Sequence, residues 1–203
     1  MNKKLLVLVA SVILAVAILS GCTEETTTEN TVPVAVIDVT SEGLTITYDA
    51  TGSTDADGNE LTYAWDFGDT TGTSTEATGT YTYAASGDYV VTLTVNDGTN
   101  DSEAVTYDVT AITPPTAAFT YDPMENITVN ATVTFTDAST IGDVNLSAYS
   151  WDFDADGVED ANTSEATYMF TAAGDYEVTL TVTDENALTD TATATITVIE
   201  ETA

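Results

Sequence analysis

Tyr63-Ala64-Trp65-Asp66-Phe67-Gly68-Asp69 is followed 86 positions later by Tyr149-Ser150-Trp151-Asp152-Phe153-Asp154-Ala155, and the two stretches hold both tryptophans of the chain. In each, an aromatic residue occupies every second position. That period places Tyr63, Trp65 and Phe67 on one face of a strand, and Tyr149, Trp151 and Phe153 on one face of another. Downstream the pattern repeats again. Gly87-Asp88-Tyr89-Val90-Val91-Thr92-Leu93-Thr94-Val95 matches Gly174-Asp175-Tyr176-Glu177-Val178-Thr179-Leu180-Thr181-Val182, and Tyr81-Thr82-Tyr83 matches Tyr168-Met169-Phe170. Val105, Tyr107 and Val109 supply a last strand to the first copy, and Ala194, Ile196 and Val198 to the second. Turn signals separate these runs at Asp57-Gly58, Gly68-Asp69, Ser86-Gly87-Asp88, Asp97-Gly98 and Asp156-Gly157. Two copies at this period read as tandem domains, because solenoid units are usually shorter, roughly 20–50 residues. The fold class predicted is all-β: two tandem immunoglobulin-like antiparallel β-sandwiches, each around one central tryptophan.

Upstream of the first copy the chain opens differently. Asn2-Lys3-Lys4 is a basic head, Leu5 to Leu19 is an apolar run, and Ser20-Gly21 precede Cys22, the single cysteine. That order is the form of a secretory signal. Leu19-Ser20-Gly21-Cys22 resembles the lipobox of prokaryotic lipoproteins, and this resemblance implies lipidation of Cys22 and a mature chain beginning there. A signal anchor is the alternative, although a spanning helix needs about 20 apolar residues. Ordinary secretion is a third. All three place the rest of the chain outside the cytoplasm. With Cys22 carrying lipid, no disulfide is available.

Thirty-four acidic residues stand against Lys3 and Lys4 alone, for a net charge of −32. Past residue 4 there is no cation to neutralise phosphate, which excludes nucleic acid and docking on an anionic lipid surface. It also leaves the carboxylates without internal partners, so solvent cations or bound divalent metal must relieve their repulsion. Histidine is absent, which rules out Ser-His-Asp, Cys-His and zinc-histidine chemistry. A pair of carboxylates remains conceivable for acid–base work, but two small sandwiches offer no obvious deep cleft. The chain is read as no enzyme.

The repeated stretches resemble the PKD domain (polycystic kidney disease repeat). Tyr-x-Trp-Asp-Phe-Gly-Asp is intact at Tyr63–Asp69, followed by aromatic–Thr–aromatic and Gly-Asp-Tyr-x-Val-Thr-Leu-Thr-Val. The second copy departs, with Asp154 in place of the glycine. The resemblance implies a β-sandwich used outside the cell for spacing, adhesion, or binding of protein and polysaccharide surfaces. The organisation expected is a signal peptide at 1–21, lipidated Cys22 with a flexible Thr/Glu-rich tether to 32, and a first domain at 33–112. A proline linker at 113–115, a second domain at 115–199 and a tail at 200–203 complete it. Pro114 and Pro115 fix two φ angles, which predicts a semi-rigid pair.

Asp152-x-Asp154-x-Asp156-Gly157-Val158-x-Asp160 is the strongest chemical motif. Acids at positions 1, 3, 5 and 9 around a turn glycine, with the Val158 carbonyl at 7, resemble an EF-hand Ca²⁺ loop. Thr163 stands where that loop has its bidentate glutamate. The competing reading is an acidic hairpin turn. Asp55, Asp57 and Glu60 form a thinner version, beside an Asp-Gly that reads as a hairpin. Asn-x-Ser/Thr sequons at Asn100, Asn126, Asn130, Asn145 and Asn162 are glycosylation candidates, although abundant threonine produces sequons by composition. The ligand expected is an extracellular protein or polysaccharide, with the membrane reached through lipid on Cys22. An alternative is a carbohydrate-binding accessory module of a surface polysaccharide-degrading system. In it Tyr48, Tyr81 or Tyr107 would stack on sugar rings, although their alternation points to the core.

Overall fold

A computed structural model describes residues 29–201, which contain β-strands and no helix. The first copy is built from β1 (Asp38–Glu42), β2 (Thr45–Asp49), β3 (Thr62–Asp66), β4 (Thr73–Ser74), β5 (Thr78–Thr82), β6 (Gly87–Asn96) and β7 (Val105–Ala111). These form two sheets, ordered β1-β2-β5 and β4-β3-β6-β7, with antiparallel pairing throughout. The second copy uses β8 (Phe119–Asp122), β9 (Ile127–Thr128), β10 (Thr132–Asp137), β11 (Leu146–Asp152), β12 (Glu165–Met169), β13 (Gly174–Asp184) and β14 (Thr189–Ile199). Its sheets run β12-β10-β8 and β11-β13-β14-β9. One pairing there is parallel, β9 on β14. The all-β, two-sandwich architecture expected from the repeat is the one found.

Alternation fixes both cores. Along β6, Val91, Leu93 and Val95 are buried, as are Val178, Leu180 and Val182 along β13, while the threonines between them face outward. Register is preserved between the copies: Trp65 pairs with Leu93 and Trp151 with Leu180. Slipping either strand by one residue would turn its whole apolar set to solvent. Trp65 is 2% exposed and Trp151 fully buried. Each indole also has a polar partner: Trp65 Nε1 donates to the Glu76 carbonyl (3.0 Å) and Trp151 Nε1 to the Thr163 carbonyl (2.9 Å). Aromatic rings continue each core outward, through Tyr48, Phe67 and Tyr81 in the first copy and Phe135, Phe153 and Tyr168 in the second.

Two expectations require correction. Asp57-Gly58 is not a hairpin turn. It lies in the connection from β2 to β3, which belong to different sheets, so the chain crosses the sandwich there. Tyr107 is 43% exposed, because β7 is the edge strand of its sheet and has no neighbour beyond it to cover the ring.

Candidate functional site

Residues 152–160 close a tight turn after β11. Trp151 N–H donates to the Ala161 carbonyl (2.8 Å) and Asp160 N–H to the Trp151 carbonyl (2.7 Å). Inside this turn one oxygen from each of Asp152, Asp154 and Asp156 lies within 4.8 Å of the others, the one such set of three or more among the described residues. Ala155 (φ 59°) and Gly157 (φ 79°) supply the left-handed steps that coil the loop. Backbone N–H groups hold the carboxylates in place. Asp152 accepts from Ala155 (2.7 Å) and Gly157 (2.9 Å), Asp154 from Asp156 (3.3 Å), and Asp156 from Val158 (2.8 Å). Asp160 stands outside the group, and its Oδ2 accepts the Phe153 N–H (2.8 Å). Val158 has an exposed side chain. At the twelfth position, Thr163 is an anchor for the tryptophan indole, its carbonyl engaged by Nε1.

The first copy handles the same turn differently. Trp65 reaches a carbonyl 11 residues on, whereas Trp151 reaches one 12 residues on, so the second copy has one extra residue in this loop. In the first copy Asp66 accepts the Gly68 N–H (2.8 Å) and Asp69 fills the turn. The Tyr81 hydroxyl and the N–H groups of Gly72 and Thr71 donate to it. The Tyr81 bond first, then those backbone N–H groups, lower the Asp69 pKa to about 2. Tyr168, the counterpart of Tyr81, has its phenol pKa raised, first by burial and then by the charges of Asp154, Asp160 and neighbours. The second turn therefore crowds three carboxylates together, whereas the first holds Asp69 as an ionised acceptor of the Tyr81 hydroxyl and backbone N–H groups.

Asp55, Asp57 and Glu60 do not form a comparable set. Asp55 Oδ1 accepts the N–H groups of Asp57 (3.1 Å) and Asn59 (3.0 Å), while its Oδ2 is buried with no partner. Asp57 Oδ2 accepts the Thr31 N–H (2.6 Å), and Glu60 is exposed. Of the sequon asparagines, Asn126, Asn130, Asn145 and Asn162 are exposed and Asn100 is half-buried. Asn126 (φ 55°) and Asn130 (φ 63°) take left-handed turn positions. Cys22, the apolar run before it and the tether as far as residue 28 lie outside the described residues. Among the described residues no helix is long and apolar enough to cross a membrane. Tyr48 is buried beside Trp65, and Tyr81 stacks on Phe67. That leaves Tyr107 as the exposed ring of the three.

Sequence reasoning missed a device that each sandwich uses to hold the segment leading into it. Ser53 and Asp57 fasten residues 31–36: Ser53 Oγ accepts the Val36 N–H (3.0 Å), and Asp57 takes Thr31. Ser139 and Asp143 do the same for residues 113–118, through the N–H groups of Ala118 (3.0 Å) and Thr113 (2.6 Å). The signal was present as Ser-Thr-x-x-Asp at 53–57 and again at 139–143.

Comparison with known proteins shows the family. The PKD domain profile matches residues 30–113 and 112–198. The pre-pro-metalloprotease PrtV of Vibrio cholerae is 35% identical over 170 residues, covering 82% of this chain and 18% of the protease. A microbial collagenase of Vibrio alginolyticus is 36% identical over 89 residues, covering 42% of this chain and 11% of the collagenase. The chain thus spans under a fifth of the length of either relative. Among solved structures, the PKD1 domain of the Vibrio cholerae protease is 35% identical, with a TM-score of 0.36, covering 42% of this chain and 96% of that domain. Two adjacent matches that together span most of the sequence make the chain a member of the PKD domain family, with two tandem copies.

Proposed function

We infer that this protein is a non-catalytic cell-surface module, in which two PKD sandwiches are carried outside the cytoplasm by lipid on Cys22. Its role is adhesion, binding of an extracellular protein or glycan, or envelope structure. The observation that carries this reading is the division of the sequence. PKD matches occupy residues 30–198, and the stretch ahead of them has the lipobox-like form ending at Cys22. Similarity to parts of a pre-pro-metalloprotease and a collagenase favours an exported module.

The reading includes structural Ca²⁺ in the second sandwich. Asp152, Asp154 and Asp156 offer converging oxygens, and Ca²⁺ takes six to eight oxygen ligands at about 2.3–2.6 Å. Water and the Val158 carbonyl would supply others. Asp55, with its buried unpartnered oxygen, is the weaker candidate. The glycan-binding alternative rests on Tyr107, since the other two tyrosines it named pack in the core.

Proteolysis of intact cells tests the reading. Added protease should remove the sandwiches without cell lysis, and crosslinking on intact envelope should join them to an envelope protein or polysaccharide. Full protection in intact cells, with digestion only after lysis, would contradict it.

A further inference from the structure

The lead-in clasp takes on a second contact at the joint between the sandwiches. In the first sandwich Asp57 Oδ2 holds the incoming segment, through Thr31 N–H. Its repeat counterpart Asp143 holds Thr113 N–H on Oδ2 (2.6 Å) and also accepts the Ser86 hydroxyl on Oδ1 (3.1 Å). Ser86 belongs to the first sandwich, in the turn between β5 and β6. One carboxylate therefore joins the second sandwich, the linker and the first sandwich.

The backbone around Asp143 is shaped for that approach. A Cβ on Gly142 would fall 2.0 Å from the Thr113 carbonyl oxygen and 2.6 Å from that of Pro114. Only glycine lets the loop lie this close to the linker. A separate contact lies at Gly43, in the β1–β2 turn. Its carbonyl accepts the Ile112 N–H (3.0 Å), and a Cβ placed on it would lie 3.9 Å from both Pro114 and Leu188. The Asp143 carboxyl is held below the usual carboxylate range, first by Thr113 N–H and then by the Ser86 hydroxyl, so it stays ionised and a strong acceptor. At the position matching Ser86 the second copy has Ala173, which has no hydroxyl.

We propose that Asp143 is an interdomain strut: with Ser86 and the Thr113 N–H it locks the two sandwiches in one fixed orientation and makes the pair a single rigid spacer. The inference is independent of what the module binds, of the lipid and of Ca²⁺. The strut limits the swing that a two-proline linker alone would leave.

Residual dipolar couplings measured on the full-length chain in a weakly aligning medium test it. In the wild type the two sandwiches should report one common alignment tensor. Ser86→Ala removes only the interdomain bond and leaves the Thr113 clasp. It should make the two tensor magnitudes diverge while amide shifts within both cores stay at their wild-type values. Ser86→Thr, which keeps the hydroxyl, should restore the common tensor, and Asp143→Ala should give the largest divergence. Unequal tensors in the wild type would overturn the proposal. A common tensor that survives Ser86→Ala would overturn it equally.

Discussion

Replacing Trp151 with alanine would remove the largest fully buried side chain of the second sandwich. It would also leave the Thr163 carbonyl without its indole donor. Phe119, Phe135 and Phe153 pack around that ring at centroid distances of 5.2, 5.8 and 5.7 Å. Such a cavity costs roughly 3–5 kcal/mol, and Trp65→Ala should cost a similar amount in the first sandwich. Urea unfolding by circular dichroism measures both losses. Each variant keeps one tryptophan, whose fluorescence reports whether the other sandwich still melts as before. Asp69 gives a pH prediction of definite sign. Its pKa falls from an ordinary 3.8 to about 2 on folding, chiefly through the Tyr81 hydroxyl. A depressed folded pKa means the stabilisation is complete above 3.8 and drains away as pH falls toward about 2. Urea midpoints taken across that window should drop more steeply for the wild type than for Asp69→Asn.

Within the elements, the acidic turn after β11 is where the two copies diverge most in chemistry. Three carboxylates crowd together there with no base to pair them. A divalent cation bound to the folded loop should raise stability by mass action, by about 2.7 kcal/mol at 100 times the dissociation constant. The expected result is a Ca²⁺-dependent rise in the melting temperature of the second sandwich in a background of high NaCl, abolished by Asp154→Asn with Asp156→Asn. A shift that survives the double variant, or that NaCl alone reproduces, rules the site out. Strands were legible in the sequence because their information is local. Alternation along β6 and β13 decides which face is buried, and Trp-Asp-Phe marks the strand that carries the buried tryptophan. The lead-in clasp was harder to read. Its bonds join residues 17 to 30 positions apart, and no period connects a loop serine or aspartate to a distant N–H. Asp57-Gly58 looked like a hairpin because the dipeptide favours tight turns, and nothing local says which sheet the next strand joins. Tyr107 follows the buried parity, yet its exposure depends on β7 being an edge.

Taken whole, the molecule has an excess of like charge that solvent cations or bound divalent metal must relieve, since almost every ionisable side chain is acidic. Monovalent salt should therefore raise the stability of both sandwiches, steeply at first and then levelling as the screening length shrinks to about 3 Å near 1 M. Thermal unfolding across a NaCl series checks this, and a melting temperature indifferent to salt would contradict it. The proposed surface role rests on the signal-like segment for export and on the proposed lipid at Cys22 for anchoring. The decisive measurement is mass spectrometry of the protein extracted from membranes of the cells that make it. An N-terminal peptide beginning at Cys22 and heavier by attached lipid is the result predicted. An intact N-terminus at Met1 with an unmodified Cys22 thiol would contradict the lipid-anchored account.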